Sequence, residues 1–177
     1  PIETVHRDVD YEVFHIGDQI VVRVGDTVID TMDARLAEGI DWQKSNIGDG
    51  TYALKDGTTT TRTISNNGQT ATDILPDGTA QIRELFEGGE TIVKASARGE
   101  ITDVSMNYGG NQISIPPDLY ISFSSDYGSN VNRVLSAGFN AGLTSSNIGS
   151  RIGIIDDGRF LILDENLIID QEVLSNL

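Results

Sequence analysis

A chain of 177 residues with 38% hydrophobic and 6% aromatic side chains makes one domain, or one domain with a small lobe, around a thin core. Its 27 acidic against 12 basic side chains give a formal charge of −15, which argues against nucleic acid and anionic membrane as partners, because clustered Lys and Arg hold phosphate and anionic lipid. With no cysteine, neither a disulfide framework nor thiolate chemistry is expected.

No apolar run approaches the roughly 20 residues that span a bilayer as a helix. No basic-then-apolar leader opens the sequence, and Pro1 fits either removal of an initiator Met or the edge of a processed fragment.

The first segment, residues 1–49, reads as strands, a short helix and a connector. Asp8 to Val13 alternates acidic and apolar and predicts a strand with one wet face. Gly17-Asp18 is a turn, and Gly25-Asp26 between Gln19–Val24 and Thr27–Met32 is a two-residue hairpin signal. Residues 33–38 predict a short helix, with Asp33 as its cap and Gly39 at its end. Trp42, the single tryptophan, lies in the connector that follows.

Residues 50–123 form a region of repeated hairpins. Gly57, Gly68, Gly78, Gly88/Gly89, Gly99 and Gly109/Gly110 recur about every ten residues, between runs rich in Thr, Ile and Val. Strand, tight turn, strand is the reading. Several of these strands are polar on both faces: Thr58 to Thr63 carries no apolar side chain. A half-buried strand should alternate, so a companion surface, such as a second copy, is expected to cover them. Ile82 and Val93 supply a thin apolar stripe and are candidate interface residues. Pro116-Pro117 closes the series, with one more strand at 119–123.

Residues 124–177 begin with a helix near 130–141, because Val131, Val134, Leu135 and Phe139 share a helical face and Ser129 or Asn130 can cap it. An apolar hairpin follows: Arg151–Ile155, the turn Asp156-Asp157-Gly158, then Arg159–Leu163, with a further strand at 167–169. It is expected to pack on the N-terminal strands. Residues 1–8 and 171–177 read as arms that dock on neighbours. The fold class is therefore all-β, mainly antiparallel meander and hairpins, as a sandwich, barrel or open sheet, with one or two short helices near 33–38 and 130–141.

The residues that carry chemistry are few. Only His6 and His15 could act as a catalytic base, and no Gly-x-Ser-x-Gly turn accompanies them. Two histidines without cysteine do not make a zinc site. Among so many carboxylates, pairs at glycosidase spacing arise by chance. Calcium is the one ionic candidate, through Asp8, Asp10 and Glu12 or through Asp156, Asp157 and Asp164. No phosphate-binding glycine loop is present. Tyr108, Tyr120, Phe123 and Tyr127 gather late in the repeat region; Tyr108, Tyr120 and Phe123 are candidate interface residues, and Tyr108, Tyr120 and Tyr127 could line a sugar site.

In composition and turn rhythm the chain is similar to β-rich structural proteins of tailed bacteriophages and to secreted adhesive modules. The expectation is a non-enzymatic virion component (fibre, decoration or tail protein) that works as a homo-oligomer with other structural proteins and without a cofactor. The alternative is a secreted or cell-surface carbohydrate-binding module, with structural calcium as an option.

Overall fold

The computed structural model describes residues 1–140 and, beyond them, the strands Ile152–Ile155, Arg159–Leu163 and Ile169–Leu174. The chain is mostly antiparallel β-sheet, open rather than closed into a barrel, with a short helical region. Four strands open it: β1 (Ile2–Arg7), β2 (Glu12–Ile16), β3 (Gln19–Val24) and β4 (Thr27–Asp33), paired in the order β1-β2-β3-β4. Gly17-Asp18 and Gly25-Asp26 make the two expected tight turns. Between β1 and β2 the structure departs from the sequence reading. The Asp8 carboxylate accepts the N–H groups of Asp10 at 2.8 Å and Tyr11 at 3.0 Å, so residues 8–11 turn rather than extend. The strand begins at Glu12, and residues 2–7, expected as a docking arm, pair with β2.

Helix α1 (Ala34–Ala37) lies where it was expected. Asp33 caps it by accepting the Arg35 N–H at 2.9 Å, and Leu36 is buried.

Seven strands follow: β5 (Thr51–Ala53), β6 (Thr59–Ser65), β7 (Thr70–Ile74), β8 (Ala80–Phe86), β9 (Gly89–Ala95), β10 (Ile101–Tyr108) and β11 (Asn111–Ser114). Their hydrogen-bonded order follows the chain, as a meander should. The ten-residue glycine rhythm resolves into two kinds of turn. One kind spans Leu54–Thr58, Leu75–Thr79 and Ser96–Glu100, beginning at residues 54, 75 and 96, a spacing of 21. In each, the first N–H donates to the fifth carbonyl (2.8, 2.9 and 2.8 Å) and the fourth N–H, a glycine's, donates to the first carbonyl at 2.9 Å. Those glycines, Gly57, Gly78 and Gly99, have φ of 91, 86 and 85°, a region closed to most L-residues. In the first two turns an aspartate also accepts the next threonine's N–H: Asp56 from Thr58 at 2.9 Å and Asp77 from Thr79 at 3.0 Å. The second kind, at Asn66-Asn67-Gly68, Glu87-Gly88 and Gly109-Gly110, closes the opposite ends of the hairpins. The structural period is thus a 21-residue hairpin, repeated three times.

The chain divides into two compact units, residues 1–85 with 94–100, and residues 86–93 with 101–177. The first unit's core joins Val13, Ile20, Val22 and Met32 of the N-terminal sheet to Leu36, Tyr52, Ala71 and Leu85. In the second unit Val93, Val104, Met106, Ile113 and Ile115 are buried, as are residues of α2 (Pro117–Tyr127) and α3 (Val131–Asn140).

Helix α2 replaces the strand expected at 119–123. Pro116-Pro117 was read as a breaker, but Pro117 occupies the first turn, where its missing N–H costs nothing, and Asp118 favours the helix N-terminus. Helix α3 stands where it was predicted and buries Val131, Val134 and Leu135. A 3-10 turn, Gly128–Asn130, leads directly into it.

The C-terminal hairpin is present as β12 (Ile152–Ile155) and β13 (Arg159–Leu163), with Ile154 opposite Phe160. Its third strand, β14 (Ile169–Leu174), begins later than expected and takes in residues 171–174, which were read as an arm. These strands form their own three-stranded sheet.

The turns bear on acid stability. The His6 hydrogen bond, then the Tyr11 and Asp10 N–H groups, hold the Asp8 carboxyl below its ordinary value. Arg23 and Arg7 do the same for Glu12, the Thr58 N–H for Asp56, and the Thr79 hydroxyl and N–H for Asp77. A carboxyl lowered in the folded state adds stability that is full above its unfolded value, about 4, and is lost as pH falls through the folded value. The melting temperature should therefore fall as pH drops from about 4 to about 2. The double variant Asp56→Asn/Asp77→Asn keeps the turn acceptors without the charge. Thermal melts across that range should show a shallower slope than in the wild type.

Candidate functional site

The densest polar constellation lies inside the first unit. Strand β6 reads Thr-Thr-Thr-Arg-Thr-Ile-Ser, and its inward positions are Thr60 and Arg62, both buried, and the half-buried Ile64. The inward positions of β7 are Ala71 and Asp73. Arg62 and Asp73 stand directly opposite one another, with side chains 4% and 10% exposed. They form a two-pronged ion pair: Nε donates to Oδ1 at 2.7 Å and Nη2 to Oδ2 at 2.9 Å. Arg62 Nη1 donates to the Leu36 carbonyl, and the guanidinium lies 5.6 Å from the centre of the Tyr52 ring. The Tyr52 hydroxyl in turn donates to Asp30. Burial first, and the Asp30 carboxylate second, push the Tyr52 phenol well above its ordinary value. Tyr11 donates to the Trp42 carbonyl, and burial, with Asp8 and Asp10 nearby, pushes its phenol up to about 12.

These groups satisfy one another, so the cluster serves the fold. It corrects one expectation directly. The polar strand β6 does not need a second chain to cover it, because its inward side chains are sealed by their own unit.

His6 Nε2 contacts Asp8 Oδ2 at 2.7 Å, and its ring stacks on Tyr11 with centroids 5.0 Å apart. His15 is half-buried, opposite Glu3 and Ile20. The first calcium set does not converge. Asp8 serves the turn and His6, while Glu12 is held by Arg7 at 2.7 Å and Arg23 at 3.0 Å. Among the described residues no group of three His, Asp or Glu side chains could hold a metal ion. Asp156, Asp157 and Asp164 lie outside the described residues.

The candidate interface residues separate. Val93, Tyr120 and Phe123 are 3, 6 and 0% exposed, so the chain itself already covers them. Tyr120 and Phe123 point inward because the segment is helical rather than extended. Ile82 and Tyr108 are half-buried and keep some open surface, and Tyr127 packs on Phe123.

A surface that sequence reasoning missed lies on the outer face of the N-terminal sheet. The register aligns Ile2 with Ile16, Thr4 with Phe14 and Val21, and Arg7 with Glu12, Arg23 and Val28. Ile2, Ile16 and Val28 are exposed, Phe14 and Val21 half-buried, and the Arg23 guanidinium lies 5.1 Å from the centre of the Phe14 ring. The signal was present in the pairs Val13-Phe14 and Ile20-Val21: successive apolar residues in a strand place one on each face.

No protein-family model matches this chain, and no curated protein or solved structure matches it.

The buried ion pair makes a test. Arg62→Met or Asp73→Leu alone strands one charge in the core and should destabilise the first unit by about 3–5 kcal/mol. The double variant should recover most of that loss. Denaturant titrations of the four proteins complete the cycle.

Proposed function

We propose that the chain is a non-enzymatic assembly protein that works as a homo-oligomer, in the setting of a bacteriophage virion (fibre, decoration or tail protein). The observation that carries this reading is the outer face of the N-terminal sheet, where Ile2, Ile16 and Val28 stand open to solvent beside Phe14 and Val21. A second copy of the same face is its occupant. On that face the charges are matched, with Glu12 held by Arg7 at 2.7 Å and Arg23 at 3.0 Å, so two copies of it meet without a concentrated like charge. Sheets packed face to face bury such a layer.

Light scattering tests it. The wild type should exceed its 19.1 kDa monomer mass. Raising NaCl from about 0.05 M to about 0.5 M should increase the associated fraction, because salt screens the repulsion of two acidic chains. The exposed-site variant Ile16→Lys/Val28→Lys should melt within a few degrees of the wild type and run as a monomer. A wild type that stays monomeric across concentration and salt would remove the reading.

A further inference from the structure

In the second unit, Phe86 ends β8 and Tyr108 ends β10, and their rings lie 6.1 Å apart at 24°. The ring pairs His6–Tyr11, Trp42–Tyr52 and Phe123–Tyr127 each have one ring in a core, which explains them as packing. Phe86 and Tyr108 are both half-buried and neither ring is in a core, so core packing does not account for this pair.

Two glycines let the rings lie where they do. A methyl group at Gly88 would sit 3.2 Å from the Tyr108 ring. At Gly89 it would sit 2.2 Å from the Asn107 carbonyl oxygen and 3.1 Å from the tip of Phe86. Both rings therefore rest against bare main chain at one hairpin turn. The phenol is also fixed. Asn140 Nδ2 donates to Tyr108 Oη at 2.8 Å. Asn140 ends α3, and α3 is tied to β9 by the buried bond from Thr91 Oγ1 to Asn132 Oδ1 at 2.7 Å. Around the turns, Asn111, Gln112 and Asn140 are exposed.

A partly open aromatic surface, seated on main chain and neighboured by side-chain amides, has the chemistry that pyranose rings use. The axial C–H face of the sugar lies on the ring, while its hydroxyls exchange hydrogen bonds with amides and phenol. We infer that Phe86, Tyr108 and Asn140 form a subsite for a neutral hexopyranose. The net charge of −15 selects against uronates and sialic acids, which would approach through a repulsive field. The subsite is in the second unit, while the assembly face is in the first, so either can fail without the other.

The test titrates methyl α-glucopyranoside, methyl β-galactopyranoside and N-acetylglucosamine into the wild-type chain, followed by the NMR ring signals of Tyr108 and Phe86. Glucuronate serves as the anionic control, and a glycan array extends the neutral set. At least one neutral hexopyranoside should shift both rings with a Kd on the order of 1 mM, and glucuronate should not. Tyr108→Phe keeps the ring and should weaken binding about threefold, as should the exposed-site variant Asn140→Ala. Tyr108→Ala should weaken it about tenfold or more. If Tyr108→Ala does not fold, the ring shifts and the two milder variants still decide. Ring signals unmoved by every neutral sugar up to about 50 mM, or a wild-type affinity retained by all folded variants, would overturn the inference.

Discussion

The charge of Arg62 must be buried, and much of the first unit is arranged around that requirement. An ion taken from water into a protein interior costs several kcal/mol even after relaxation. Here the guanidinium is met by a carboxylate across the ladder, a helix carbonyl and an aromatic face. Strand β6, without an apolar residue until Ile64, can lie in a core only because those partners exist. The pair also stands where the ladder needs a marker. Strands that are polar on both faces define their register weakly through burial. A two-pronged contact between residues directly opposite one another forms in a single register.

The 21-residue hairpin solves a different problem. Each repeat uses one five-residue turn and a second turn at the far end, both with a left-handed glycine, so strands succeed one another without crossovers. Neighbouring strands stay adjacent in sequence, so the pairings of the meander are local ones. What varies between repeats is the cargo of the inward positions. The ninth residue of the three repeats is Arg62, Arg83 and Val104 in turn. The same backbone device thus serves an ionic interior in one place and an apolar one in another.

The surface follows from the same economy of apolar residues. The N-terminal strands carry aliphatic side chains on both faces, one set filling the first unit's core and the other left open. In a chain of charge −15 such a face is an exception that solvent alone does not explain. In the second unit the half-open Phe86–Tyr108 pair is the counterpart exception, aromatic rather than aliphatic, and set on glycine rather than on a packed layer.

By itself the sequence determined the features that a few neighbouring residues control. Gly17-Asp18, Gly25-Asp26 and the repeated glycines marked the turns, Asp33 marked the cap of α1, the spacing of Val131, Val134 and Leu135 marked α3, and the apolar runs near the end marked their hairpin. Tertiary structure decided what depends on distant partners. Arg62 goes inside because Asp73, eleven residues on, and the Leu36 carbonyl, twenty-six residues back, are both within reach. Residues 119–123 read as a strand, yet their Tyr120 and Phe123 are buried in a helix behind Pro117. Residues 2–7 form a strand because β2 offers its free edge. Turn chemistry acts over about five residues and is written locally, whereas the free energy of burying a polar group depends on partners that only the folded chain brings together.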